Sequence, residues 1–170
     1  LRIGIDFDNT MVCYDRIFTR VARELNLIPA DLPESKSHVR DYLRKVDRED
    51  DWTKLQGYVY GARMNEADAF PGVLEFFEES RSWDVVLFII SHKTKSPYLG
   101  PHYDLHQAAR DWIAGHGFYD SSRTRFGPDQ VYFELTKEAK IQRIADVHCS
   151  VFLDDLPEFL AETNFPTQTE

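Results

Sequence analysis

Two aspartates one residue apart, Asp6 and Asp8, close a short apolar run (Leu1, Ile3, Ile5) and are followed by Thr10. An apolar run at the start of an α/β chain reads as a buried parallel strand. Residues just beyond such a strand's carboxyl end line the crevice where open α/β sheets bind ligands. Carboxylates are costly there unless a cation or a reaction uses them, although two aspartates alone also read as turn or N-cap residues. Two further apolar runs end in polar groups. Residues 84–90 (DVVLFII) lead into Ser91, His92 and Lys93, and residues 151–153 (VFL) lead into Asp154 and Asp155. Upstream of the last run, Lys137 and Lys140 open a stretch with Ile141, Ile144, Ala145 and Val147 at helical spacing.

Positioning these groups takes a sheet with parallel strands, since short strands separated by helical stretches pair that way. Strands are expected at residues 1–5, 84–90, 131–134 and 151–153. Parallel pairing gathers the aspartates and Ser91 on one sheet edge, where a lysine from the preceding helix can reach them. The roughly sixty residues between the first strand and Pro71-Gly72 read as helical. Ile17, Val21 and Leu25 share one face, Val39 and Leu43 another, and residues 52–64 are expected to form a third helix. Val73, Leu74, Phe76 and Phe77 then mark a helix leading to the second strand. Leu105, Ala108, Ala109, Trp112 and Ile113 mark another, ended by Gly115 or Gly117. Asp155 and Glu158 have the spacing of a capping box.

The ordered set Asp6-Phe7-Asp8-Asn9-Thr10, Ser91, Lys140 (or Lys137) and Asp154-Asp155 resembles the haloacid dehalogenase (HAD) superfamily of phosphotransferases, and the likeness spans nearly the whole chain. It implies a three-layer Rossmann-like α/β core (residues 1–12 and 70–170) with the first strand between the second and fourth. It also implies a small helical C1-type cap at residues 13–69 that closes over the site. Asp6 becomes the nucleophile that forms an aspartyl-phosphate, and Asp8 the acid and base. Ser91 grips a phosphoryl oxygen, Lys140 offsets charge on Asp6, and Thr10 orders the loop or meets substrate. Mg²⁺ is held by Asp6, the Asp8 backbone carbonyl and one of the Asp154-Asp155 pair, with Asp155 favoured as direct ligand. The expected activity is hydrolysis of a small phosphorylated metabolite, a sugar phosphate or nucleoside monophosphate. A phosphomutase of the same superfamily is the alternative. A receiver-like phosphoacceptor places its acidic pair before the acceptor aspartate, opposite to the order here, and the intact acidic and lysine set argues against a mere binding module.

The loop after Ser91 (residues 91–104, SHKTKSPYLGPHYD) borders the motif residue. His92, Lys93 and Lys95 are candidates to hold an anionic or polar part of the substrate. Arg16, Arg20, Tyr14, Tyr58, Tyr60 and Arg63 are candidates from the helical insert. His102 and His106 flank Asp104 at a metal-ligand spacing, but Asp104 reads first as a helix-start residue. A formal net charge of −9 disfavours nucleic acid, whose backbone requires a basic patch. Two cysteines provide no disulfide framework, and no apolar run reaches membrane-spanning length. The chain begins inside a strand with no secretory pattern, so the expected compartment is the cytoplasm. Superfamily members usually carry another core strand after the acidic pair, and residues 163–170 stop before one.

Overall fold

A computed structural model describes residues 1–170. In chain order it contains β1 (Arg2–Ile5), β2 (Val12–Cys13), α1 (Asp15–Glu24), α2 (Lys36–Lys45), α3 (Glu49–Tyr60), β3 (Asp68–Ala69), α4 (Val73–Glu79) and β4 (Val86–His92). There follow α5 (Leu105–Gly115), β5 (Val131–Glu134), α6 (Lys137–Asp146), β6 (Val151–Leu153) and α7 (Pro157–Leu160). The chain divides into two compact units. One comprises Leu1–Val12, Ala69–Thr94 and Ile113–Glu170, the other Cys13–Asp68 and Lys95–Trp112.

The first unit is built on a four-stranded sheet of order β5-β4-β1-β6, with every pairing parallel. β1 therefore lies between the second and last of the four expected strands. The register pairs Gly4 with both Phe88 and Phe152, and parallel partners point to the same face. That face carries Phe88, Ile90 and Phe152, which α6 and α7 cover with Ile141, Ile144, Val147 and Phe159. A Cβ on Gly4 would meet the Phe152 ring at 2.5 Å and Cys149 Sγ at 2.9 Å, so the layer closes tightly over a residue without a side chain. On the opposite face Phe77 of α4 packs edge-on against Phe118 and Phe126, with ring centroids 5.0 and 4.9 Å apart. The result is an α/β unit with a parallel four-stranded sheet, compatible with a Rossmann-like fold.

The strand ends differ from expectation at β4. The sequence placed Ser91 and His92 past the strand, whereas both lie within it, paired with Phe133 and Glu134 of β5. The Lys93 N–H continues the ladder to Glu134 O at 2.8 Å. β5 supplies backbone partners to the end of that run, and those partners outweigh the drop in hydropathy. At the other edge Phe152 N–H donates to Glu170 O, and Glu170 N–H donates to Ser150 O.

The second unit is helical. Tyr14, Ile17, Phe18, Val21 and Ala22 bury one side of α1, Val39 and Leu43 that of α2, and Trp52, Leu55 and Val59 that of α3. Leu25, expected on the first of these faces, lies beyond the end of α1 and is 49% exposed. Ser35 caps α2 by accepting from Ser37 N–H at 3.2 Å. α3 begins at Glu49 and stops before Gly61, short of the expected end at residue 64. Lys95–Trp112 also belongs to this unit, although the sequence reading kept it with the sheet and bounded the insert at 13–69. Packing explains the assignment: Trp112 is fully buried and its indole N–H donates to Ala67 O at 2.9 Å. Gly57 and Gly61 leave room for Pro97 and Tyr103, which a Cβ at either glycine would strike. α5 ends as expected near its glycines: Gly117, at φ 82°, donates to Ala114 O, and Phe118 N–H reaches back to Ile113 O.

The expected capping box at Asp155 and Glu158 does not form. The N-cap of α7 is Leu156, whose N–H is instead accepted by Asp154 Oδ1 at 3.0 Å. No helix is long and apolar enough to cross a membrane.

Candidate active site

The carboxyl edge of β1 and β6 carries the acidic groups because their registers coincide. Ile5 pairs with Leu153, and the Asp6 N–H extends that ladder to Leu153 O at 2.8 Å. Asp6 and Asp154 therefore fall side by side with the parity of Gly4 and Phe152, on the face that α6 covers. Thr136 caps α6 by accepting from Ala139 N–H at 3.1 Å, which sets the first turn and with it Lys140. Lys140 Nζ lies 2.6 Å from both Asp6 Oδ1 and Asp154 Oδ2. Its own side chain is 5% exposed, and those of Asp6 and Asp154 are 7% and 1%. The ammonium also sits 4.2 Å from the Phe159 ring centroid. Lys137, the alternative, is exposed and paired with Glu162 at 2.6 Å.

Burial dominates the electrostatics of Asp6 and pushes its carboxyl up from 3.8 to about 7. Lys140 pulls in the opposite direction, and the charges of Asp154 and Asp8 add to the rise. Asp155 is exposed, yet carboxylate oxygens of Asp6, Asp154 and Asp155 all lie within 4.8 Å of one another. This set consists of hard oxygen donors from three carboxylates. By donor chemistry it could hold a hard metal cation. Asp154 has one oxygen on Lys140 and the other on Leu156 N–H, which fixes its orientation. A cavity of about 340 Å³ adjoins the cluster, lined by Asn9, Thr10, Phe70, Leu153, Asp154 and Asp155.

Beyond Asp6 the chain leaves the sheet through a tight loop. Phe7 O accepts from both Met11 and Val12 N–H at 3.1 Å, and Asn9 takes φ 62°. Asparagine is among the few residues that adopt that conformation at small cost. The loop presents Asp8, whose two oxygens lie 3.0 and 2.9 Å from Lys93 Nζ. The Thr10 hydroxyl is buried without a hydrogen-bond partner. Ser91 is 1% exposed. It shares its strand face with Lys93, and both stand at the same sheet edge as the aspartates. His92, of opposite parity, is exposed.

The structure thus brings together Asp6, Asp154, Asp155 and Lys140, and places Asp8 with Lys93 and Ser91 on the same edge. Sequence reasoning named Lys93 as a substrate contact and missed its carboxylate partner. Its one available signal was parity with Ser91. The insert's arginines are engaged with carboxylates of their own unit: Arg16 with Asp68, Arg20 with Glu66, and Arg63 with Glu24 and Glu66. Tyr14 is buried there. Asp104 acts as the helix-start residue, its Oδ1 accepting from Gln107 N–H at 2.9 Å. Comparison with models of protein families, with curated proteins and with solved structures returned no match.

Proposed function

We propose that the chain is a Mg²⁺-dependent phosphomonoester hydrolase of HAD type, with the first unit as catalytic core and a helical insert that falls in sequence where a C1-type cap is inserted. The observation that supports this most is the convergence of Asp6, Lys140, Asp154 and Asp155 from three separate elements, within 4.8 Å for the three carboxylates and 2.6 Å for the lysine contacts. A buried carboxylate against a buried ammonium, beside an exposed carboxylate and a cavity, suits a nucleophile that must attack a charged phosphoryl group.

In this reading an Asp6 oxygen attacks phosphorus and the ester P–O bond breaks. Its electron pair goes to the leaving oxygen, which Asp8 protonates. Water then attacks phosphorus of the aspartyl-phosphate while Asp8 takes its proton, and Asp6 departs as a carboxylate with release of phosphate. Lys140 neutralises charge on Asp6 throughout, and the Ser91 hydroxyl donates to a phosphoryl oxygen. Asp6, Asp155 and the Asp8 carbonyl would hold Mg²⁺, which would supply positive charge to offset that of the phosphoryl group. The substrate class is a small phosphorylated metabolite, a sugar phosphate or a nucleoside monophosphate.

The test is phosphate release from a panel of phosphorylated metabolites by the purified protein. Activity should require Mg²⁺, vanish on chelation and return on readdition, with little rescue by Ca²⁺, whose larger and looser shell misplaces the nucleophile. Undiminished activity in excess chelator would overturn the metal assignment. Isomerisation of a sugar phosphate without phosphate release would establish the mutase instead.

A further inference from the structure

We propose that Lys93 is a positioning residue for Asp8, holding its carboxyl group in the orientation that serves the leaving oxygen and then the attacking water. This rests on the hydrolase reading above, in which Asp8 carries the proton. Three observations support it. Lys93 Nζ engages both oxygens of Asp8, at 3.0 and 2.9 Å, so it restrains rotation of the carboxyl group as well as its distance. The lysine side chain is only 3% exposed, against 21% for Asp8. A buried ammonium is costly unless paired, and the Asp8 carboxylate is a partner that offsets that cost. The anchor is also rigid. The Lys93 N–H donates to Glu134 O at 2.8 Å, and its ammonium lies 5.5 Å from the centroid of the Phe7 ring, which packs edge-on against Phe133.

Asp8 sits on a loop rather than a strand, and a side chain on a loop wanders unless something on the scaffold holds it. Lys93 projects from the end of β4 on the same face as Ser91. One strand end therefore supplies both the hydroxyl assigned to the phosphoryl group and the ammonium that orients the acid. In the acid step one Asp8 oxygen carries the proton and the other accepts from Lys93. Delivery of that proton to the leaving oxygen leaves Asp8 as the carboxylate whose two oxygens Lys93 holds. Lys93 stays an ammonium in both half-reactions and exchanges no proton. Its action is through Asp8 alone.

The test uses kcat/KM, which reports steps up to loss of the leaving group, for phenyl phosphate and p-nitrophenyl phosphate. These esters are similar in shape, but only phenolate needs much help from an acid. Lys93→Met should lose on the order of 10²-fold on phenyl phosphate, the scale of a mispositioned catalytic group, and about tenfold less on p-nitrophenyl phosphate. In an Asp8→Asn background, Lys93→Met should add almost nothing. If Lys93→Met does not fold, Lys93→Gln, which keeps one donor toward Asp8, should show the same leaving-group-dependent loss in smaller measure. Equal losses on both esters, or losses that multiply with Asp8→Asn, would overturn the positioning role while leaving the hydrolase reading intact. Wild-type protein that cleaves neither these esters nor the metabolite panel would overturn the hydrolase reading, and the role of Lys93 with it.

Discussion

Lys140 is the residue on which the acidic cluster depends, because it is the only ammonium within hydrogen-bond range of both Asp6 and Asp154. Removing it leaves two buried carboxylates facing each other. Breaking a buried pair from one side costs about 3–5 kcal/mol, so Lys140→Met should lower the urea midpoint of the metal-free protein sharply. Lys137→Met, which removes an exposed partner of Glu162, should leave the midpoint close to wild type. The two aspartates of the first loop should separate kinetically. Asp6→Asn should form no phosphoenzyme, whereas Asp8→Asn should accumulate labelled phosphate on Asp6 with p-nitrophenyl phosphate, because no base activates water for the second step. Label on Asp8 would reverse the assignment. The types and order of these residues were legible in the sequence. The sequence favoured Lys140 over Lys137 because it leads into the Ile141 and Ile144 face and lies nearer Asp154. Its contacts to both Asp6 and Asp154 depend on where the first turn of α6 sits against β1 and β6.

At the scale of the elements, the critical feature is how closely β1 and β6 bring their carboxyl ends together beneath α6. The backbone ladder sets that spacing, and Gly4 leaves room beside it for the Phe152 ring. Gly4→Ala would place a methyl 2.5 Å from the Phe152 ring and 2.9 Å from Cys149 Sγ. Overpacking of this kind costs about 1–3 kcal/mol. The urea midpoint should fall accordingly, and activity should fall with it as Asp154 shifts away from Asp6. Unchanged stability would mean that the Phe152 ring can move aside. Most elements were readable from periodicity, since the faces of α1, α2 and α6 are set by local apolar spacing. Their ends were less so. β4 runs on through Ser91 and His92 because β5 pairs with it there, and Leu25 drops out of the α1 face because the helix has already ended.

For the whole molecule, the raised carboxyl of Asp6 links folding to pH. Its native value of about 7 exceeds the unfolded 3.8, so the native state binds more protons than the unfolded chain between those limits. This group's contribution therefore favours folding at low pH and declines as pH rises from about 4 to 7. In metal-free protein, the stability difference between wild type and Asp6→Asn should shift against wild type across that window and level off above it, as measured by urea unfolding at pH 4.5 and 7.5. Mg²⁺ that binds the folded cluster should raise the wild-type midpoint at pH 7.5 in proportion to the logarithm of its concentration. A pH-independent difference would show that Asp6 is ionised as readily in the folded protein as in the unfolded chain.

The sequence by itself determined the α/β class, the parallel sheet and the set of acidic, hydroxyl and lysine groups at or near the strand ends. Those features follow from short-range apolar spacing and from where each run stops. Tertiary structure decided the pairings: Lys140 with both Asp6 and Asp154, Lys93 with Asp8, and Asp154 rather than Asp155 as the buried member of its pair. It also decided that Lys95–Trp112 packs with the helical insert. A side chain's partner depends on which face the strand register turns it toward, and register is set by backbone bonds between segments up to about 150 residues apart. No local pattern carries that information.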